Sequence, residues 1–166
     1  MEILHSFAPV VTPTSRVLVL GTMPGAASLA KQEYYGFPHN AFWRIMAALG
    51  GADSVPERYA DKLELLRRTG IALWDVCHSC RRAGSLDSNI VDEAPNDIAA
   101  LLTAHPSIRA VAFNGGPAFR LFKKHIGLDA IGEGRALLTL PSTSPANASW
   151  SYERKLAAWS ALREWL

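Results

Sequence analysis

Two cysteines, Cys77 and Cys80 of a single CHSC element, are all that this 166-residue chain carries. That is too few for a disulfide framework and half of the four ligands that a structural zinc site takes. They read as reduced thiols inside a cytosolic protein. A thioredoxin-like redox role is the alternative, although the first cysteine follows a strand instead of opening a helix. Charge of one sign is also lacking: seventeen Lys and Arg against fifteen Asp and Glu leave a net charge of +2, so any contact with a polyanion has to be local. No apolar run reaches bilayer length, and residues 1–15 lack the charged start and long apolar core of a secretion signal. A soluble, cytoplasmic chain without a membrane partner is expected. Repeats and low-complexity segments are missing too, and 49% hydrophobic content is enough to bury one core, so one domain over 1–166 is expected.

The common nucleotide and hydrolase signatures are absent. Gly21 and Gly25 do not complete G-x-G-x-x-G, there is no G-x-x-x-x-G-K-[ST], and no G-x-S-x-G elbow occurs. Dinucleotide binding, a Walker phosphate cradle and a serine hydrolase are thereby excluded.

What is present is a strand and helix alternation. Short apolar runs at Val17–Leu20, Ile71–Val76, Arg109–Phe113 and Ala136–Leu140 predict buried strands. Helical spacing separates them. One helix starts near Asn40 and is stopped by Gly50 and Gly51; a second runs to Arg68 from a capping box at Ser54 and Glu57, with Tyr59, Leu63 and Leu66 on one face. A third begins at Pro95 and carries Ile98, Leu101 and Leu102. A fourth opens at Pro117 with Leu121, Phe122 and Ile126 inward, and the last spans Tyr152 to Trp165 with Leu156, Trp159 and Leu162 on one face. Residues 1–15 read as an extended lead-in, and CHSCRRAGSLDSNIVDEAP as a long polar loop. The pattern predicts an α/β fold: a single three-layer domain with a short four-stranded parallel sheet and helices on both faces. In such sheets ligands bind outside the carboxyl ends of the strands, where every one of these strands is followed by a loop rich in Gly, Pro, Ser, Asn or aromatic residues.

Those loops are poor in carboxylates and strong bases and rich in amides, hydroxyls and aromatics. Such a set suits orienting a water and holding a flat ring, not abstracting a proton from a poor acid. Four stretches then carry a resemblance: Gly21-Thr22-Met23-Pro24-Gly25; Tyr34-Tyr35-Gly36-Phe37-Pro38-His39-Asn40-Ala41-Phe42-Trp43; Phe113-Asn114-Gly115; and Leu140-Pro141-Ser142-Thr143-Ser144-Pro145-Ala146-Asn147. In order and over nearly the whole chain, they resemble the uracil-DNA glycosylase superfamily, nearest its hypoxanthine (deoxyinosine) branch, which is related to the mismatch-specific uracil enzymes. Ala72-Leu73-Trp74-Asp75-Val76 and Gly84-Ser85-Leu86-Asp87-Ser88 fit that branch as well.

The resemblance implies a monofunctional DNA glycosylase that hydrolyses the N-glycosidic bond of a deaminated or mismatched base, acting as a monomer without metal or organic cofactor. Asn40 matches the asparagine of catalysis, and a neutral amide aims water adequately if the sugar is already oxocarbenium-like. As an N-cap, its oxygen would accept from the amide of Phe42 or Trp43, and the two roles can coexist. Tyr35 matches the aromatic that stacks on the extruded base, and Asn114 the amide that reads it, with core aromatic and turn residue as the plain alternatives. The backbone amides of Thr22 and Met23 would hydrogen-bond the departing base. Ser142, Thr143 and Ser144 match the loop that grips flanking phosphates, and Pro145, Ala146 and Asn147 the wedge pressed into the duplex. Arg81, Arg82, Lys123, Lys124 and Arg135 are further candidates for phosphate contact. The sequence departs from the family where Met23 replaces an acid or amide and Leu140 a histidine, which throws catalysis onto Asn40 and backbone donors. Phe37 and His39 stand where the branch has histidine and arginine, which leaves base preference and DNA contact open. The rival reading is a non-catalytic nucleotide or nucleic-acid binding module on the same fold.

Overall fold

In the computed structural model, which describes residues 1–166, the chain runs β1 (Leu4–His5), β2 (Val17–Gly21), α1 (Ala26–Lys31), α2 (Phe42–Leu49), α3 (Tyr59–Thr69), β3 (Ile71–Asp75) and β4 (Cys77–Arg81). It continues through β5 (Val91–Pro95), α4 (Ile98–Ala104), β6 (Ala110–Asn114), α5 (Gly116–His125), β7 (Ala136–Leu140) and α6 (Tyr152–Trp159), with short 3-10 turns between. β3, β2, β6 and β7 lie side by side in that order, all parallel, as the four apolar runs predict.

Alternation along these strands divides the interior in two. Val17, Val19, Ile71, Leu73, Ala110 and Ala112 face a core shared with Phe42, Ile45 and Met46 of α2, Leu65 and Leu66 of α3, and Trp159 of α6. Leu18, Leu20, Ala72, Val111 and Phe113 face the other core, with Ile98, Leu101 and Leu102 of α4 and Ala118 and Phe122 of α5. Both faces are covered at β2, β3 and β6, which is why those runs are apolar, whereas the edge strand β7 alternates and leaves Leu137 and Thr139 exposed. Three layers result, with all four carboxyl ends on one edge.

Several expectations need correction. The stretch from Cys77 to Pro95 is not a loop: β4 pairs antiparallel with both β1 and β5 in a separate three-stranded sheet. The first residues of the lead-in thus gain a ladder partner. Pro95 ends β5 instead of starting a helix; the side chain of Asp97 caps α4 by accepting from the Ala100 amide at 3.0 Å. Ser54 and Glu57 form no capping box, and α3 starts at Tyr59 with no side-chain cap at Arg58. The last helix ends at Trp159 and tightens into a 3-10 turn over Ser160–Trp165. Cys77 and Cys80 are buried, unpaired thiols. Burial pushes Cys77 up to about 12 and raises Cys80, so little thiolate exists for redox exchange at neutral pH. No helix is long and apolar enough to cross a membrane.

Candidate active site

Every β-strand of the parallel sheet delivers its carboxyl end to one cavity of about 710 Å³. Gly21 to Ser28 follow β2, Asp75 ends β3, Asn114 to Pro117 follow β6, and Pro141 to Asn147 follow β7; all border it, together with Tyr35, Asn40 and the segment Ser85–Ser88. The catalytic, base-binding and loop residues expected from sequence therefore line a single hollow, whereas none of the basic candidates for phosphate contact borders it.

One wall is two loops tied together. The Thr22 hydroxyl donates to Asp87 Oδ1 at 2.6 Å, Arg82 Nη2 donates to the Pro24 carbonyl at 2.7 Å, and the Ala26 amide donates to Ser85 Oγ at 2.9 Å. Arg82 is buried for this purpose, and its Nε also holds the Gly84 carbonyl, so this candidate for phosphate contact is instead a brace between the loops. The Thr22 and Met23 carbonyl region turns towards β4, with Thr22 O accepting from the Cys77 amide at 3.0 Å. The amides of both residues find no acceptor within the protein.

The opposite wall is organised by Asn114. Its Oδ1 accepts from the buried Thr143 amide at 2.9 Å, which fixes the amide's orientation. Nδ2 then donates to Thr143 Oγ1 and to Tyr35 Oη, both at 3.0 Å. Both N–H groups are used, and one lone pair on Oδ1 is left. Thr143 is 1% exposed and spent on this network, so its side chain does not face DNA as expected. Ser142 and Ser144 are half-buried, and Pro145 and Ala146 project as the loop's exposed tip. Lys155, which sequence reading passed over, lies buried beneath the loop and donates from Nζ to the Ser144 carbonyl at 3.0 Å. Lys124 pairs with Glu93, and Arg135 donates to three backbone carbonyls, so neither is a free cation at the rim.

Tyr35 forms the floor of this wall. Its ring stacks on Phe42 with centroids 4.0 Å apart and planes at 18°. Its backbone is left-handed, at φ 51°, a conformation that costs a tyrosine free energy and persists where packing dictates it. Neighbouring Tyr34 is turned into the core, donating to the Ala8 carbonyl and accepting from Trp43 Nε1. Asn40 stands at the rim, half-buried. Its Oδ1 accepts from the Phe42 amide at 2.9 Å, the bond expected at the start of α2, although Ala41 and not Asn40 is the N-cap residue, and nothing in the protein takes its Nδ2.

The residue that sequence reading missed is Asp75. It is 4% exposed, borders the cavity, and its Oδ2 is buried without a hydrogen-bond partner. Desolvation first, then the nearby Asp87 charge, push its carboxyl up to about 7 against a smaller opposing pull from Arg82. The signal was a lone carboxylate closing an apolar strand run, ALWD, at a parallel strand's carboxyl end. Because the folded state holds this proton more tightly than the unfolded chain, stability is lost as pH rises from about 4 to about 7 and is flat above. The whole shift corresponds to about 4 kcal/mol, and relaxation of the site reduces the expectation to roughly 2 kcal/mol. Melting temperatures taken across that range should fall for the wild type and fall less for Asp75→Asn, in which Asp87, also raised by burial, still titrates.

Gly21 leaves room for this arrangement. A Cβ there would lie 2.6 Å from Asp75 Oδ1 and 2.9 Å from Tyr35 Oη, closer than either contact allows. Gly21→Ala is expected to destabilise by about 1–3 kcal/mol through overpacking, read as a lower denaturation midpoint at unchanged slope.

Comparison with known proteins follows the same lines. The sequence model of the uracil DNA glycosylase superfamily matches residues 8–163. A protein of Methanosarcina acetivorans named hypoxanthine DNA glycosylase is 36% identical over 160 residues, covering 96% of this chain and 98% of its own. Another of that name, from Methanosarcina barkeri, is 39% identical over 111 residues, which is 67% of this chain and 70% of its own. A solution NMR structure from Methanosarcina acetivorans, whose description names uracil DNA glycosylase, superimposes with a TM-score of 0.83 at 36% identity over 98% of this chain and 97% of that one.

Proposed function

The chain belongs to the uracil DNA glycosylase superfamily and is a DNA glycosylase, and from that premise we propose that it excises hypoxanthine, and with it uracil, from duplex DNA after turning the base out of the helix. The observation that carries this reading is the convergence of all four strand ends on one cavity bordered by Tyr35, Asn40 and Asn114. The name shared by the two archaeal relatives supports hypoxanthine as the first substrate.

The extruded base lies in this cavity against Tyr35, whose ring is backed by Phe42 and cannot recede. Extrusion costs a few kcal/mol and least where pairing is already weak, so deaminated and mismatched bases are favoured before any contact reads them. Asn40 holds the water: with Oδ1 partly committed to the α2 cap, its second lone pair and free Nδ2 fix the nucleophile near the sugar. An amide suffices because the oxocarbenium-like sugar needs an aimed water more than a base. The unpartnered Thr22 and Met23 amides take the charge that develops on the departing base. Asn114 locks Tyr35 to the 141–147 loop and keeps one lone pair for a base N–H. Ser142 and Ser144 meet the phosphates, and Pro145, Ala146 and Asn147 enter the space the base leaves. No lysine borders the cavity to form a Schiff base, so the strand is left intact.

Duplexes bearing hypoxanthine, uracil, xanthine or a G·T mismatch test the reading. Alkali-labile abasic sites should form on hypoxanthine, with no strand breaks before alkali. Absence of product on every duplex would refute it.

A further inference from the structure

Recognition of a deaminated base has a donor problem. Deamination converts an exocyclic amino group, a donor, into a carbonyl oxygen, an acceptor beside a ring N–H. Asn114 has no N–H left with which to answer that carbonyl, since Thr143 Oγ1 and Tyr35 Oη take both. We propose that Asp75 is a base-reading residue of this cavity, its un-ionised carboxyl donating to the carbonyl oxygen of the extruded base while Asn114 Oδ1 accepts from the adjacent ring N–H.

Three observations converge on it. Asp75 borders the cavity while being 4% exposed, and Oδ2 has no partner, a state that costs free energy and is uncommon for a buried carboxyl oxygen. It sits at the end of β3 against Gly21 and beside Tyr35, the aromatic on which the base rests: the point a Gly21 Cβ would occupy is 2.6 Å from Asp75 Oδ1 and 2.9 Å from Tyr35 Oη. Its surroundings keep the proton on. Asp87 opposes ionisation and Arg82 favours it, burial outweighs both, and the carboxyl titrates near 7. The Tyr34, Tyr35 and Cys77 side chains that also face it stay neutral at that pH, each held above its ordinary value.

The chemistry that follows is selective. The fixed Oδ1 of Asn114 accepts from the ring N–H of hypoxanthine or uracil but would face the lone pair of the bare ring nitrogen of adenine or cytosine, and a site built to hydrogen-bond one of them rejects the other strongly. Once ionised, Asp75 would set two acceptors against the base carbonyl and against the charge that develops as the base leaves. The inference rests on the glycosylase reading, and the experiment separates the two. Single-turnover excision of hypoxanthine by the full chain is measured between about pH 6 and about pH 8 for wild type, Asp75→Asn and Asp75→Ala, with each variant's melting curve taken alongside. Wild type should lose rate as pH climbs past about 7, approaching tenfold per unit. Asp75→Asn, whose amide donates and accepts in the same places, should keep excision and lose the alkaline decline; Asp75→Ala should fall about a hundredfold at pH 6. Wild-type excision that is flat over that range overturns the proposal whether or not the variants fold, as does an alkaline decline surviving in Asp75→Asn or a wild-type rate in Asp75→Ala. If wild type excises nothing at any pH, the glycosylase reading itself fails.

Discussion

Asn40→Ala should lower single-turnover excision of hypoxanthine by about 10³-fold, with a loss of only about 1 kcal/mol in stability. The two effects have separate origins in one side chain. The stability term is the lost cap, the 2.9 Å bond from the Phe42 amide to Oδ1, which satisfies one of the donors left bare at the start of α2. The activity term is the lost water site at the rim. Asn40→Ser distinguishes them, because a serine hydroxyl caps about as well as an asparagine but is too short to hold a water over the cavity. Wild-type melting with excision still down by about 10³-fold would assign Asn40 to the nucleophile. Wild-type excision by Asn40→Ser would show that the residue acts only as a cap.

The bond that Asn40 makes at the start of α2 was legible in the sequence because it depends on local order: Asn-Ala-Phe-Trp entering an apolar helical repeat. The parallel sheet was legible for a related reason, since strands buried on both faces become unbroken apolar runs such as VLVL. The second sheet was not. Val91–Pro95 reads VDEAP, with two acids and a proline, and it holds β form only because β4 stands beside it. Its signal is tertiary, and pattern within one segment does not contain it. The short helix α1 hid for the same kind of reason: Gly25 gives it no side-chain cap, and its Ala26 amide is taken by Ser85, fifty-nine residues away. The site follows this division. Motif order predicted which loops meet, but which polar groups remain free depends on contacts across the fold. Thr143, expected at DNA, is consumed by Asn114, and Asp75, one letter in a matching strand, is the carboxyl left over.

Phe42→Ala should be among the most destabilising single changes in this protein and should also damage the site. Phe42 is fully buried, stacked on Tyr35 at 4.0 Å and edge-on to Trp43 at 5.0 Å and Trp159 at 6.3 Å. Removing the ring costs about 3–5 kcal/mol, a large part of the ~5–15 kcal/mol a domain has, and should lower the melting temperature by roughly 10 °C. A matched control is available on the other side of the sheet. Phe122 is also fully buried, 5.1 Å from Phe113, and belongs to the core that does not touch Tyr35. Phe122→Ala should lose comparable stability, yet where both variants are still folded it should excise hypoxanthine near the wild-type rate. Phe42→Ala should not, because the left-handed backbone at Tyr35 persists only under packing from below, and without that support the ring can sink away from the base. Equal excision by the two variants at equal fraction folded would mean that Phe42 contributes stability alone, and that Tyr35 is held by its bond to Asn114 instead.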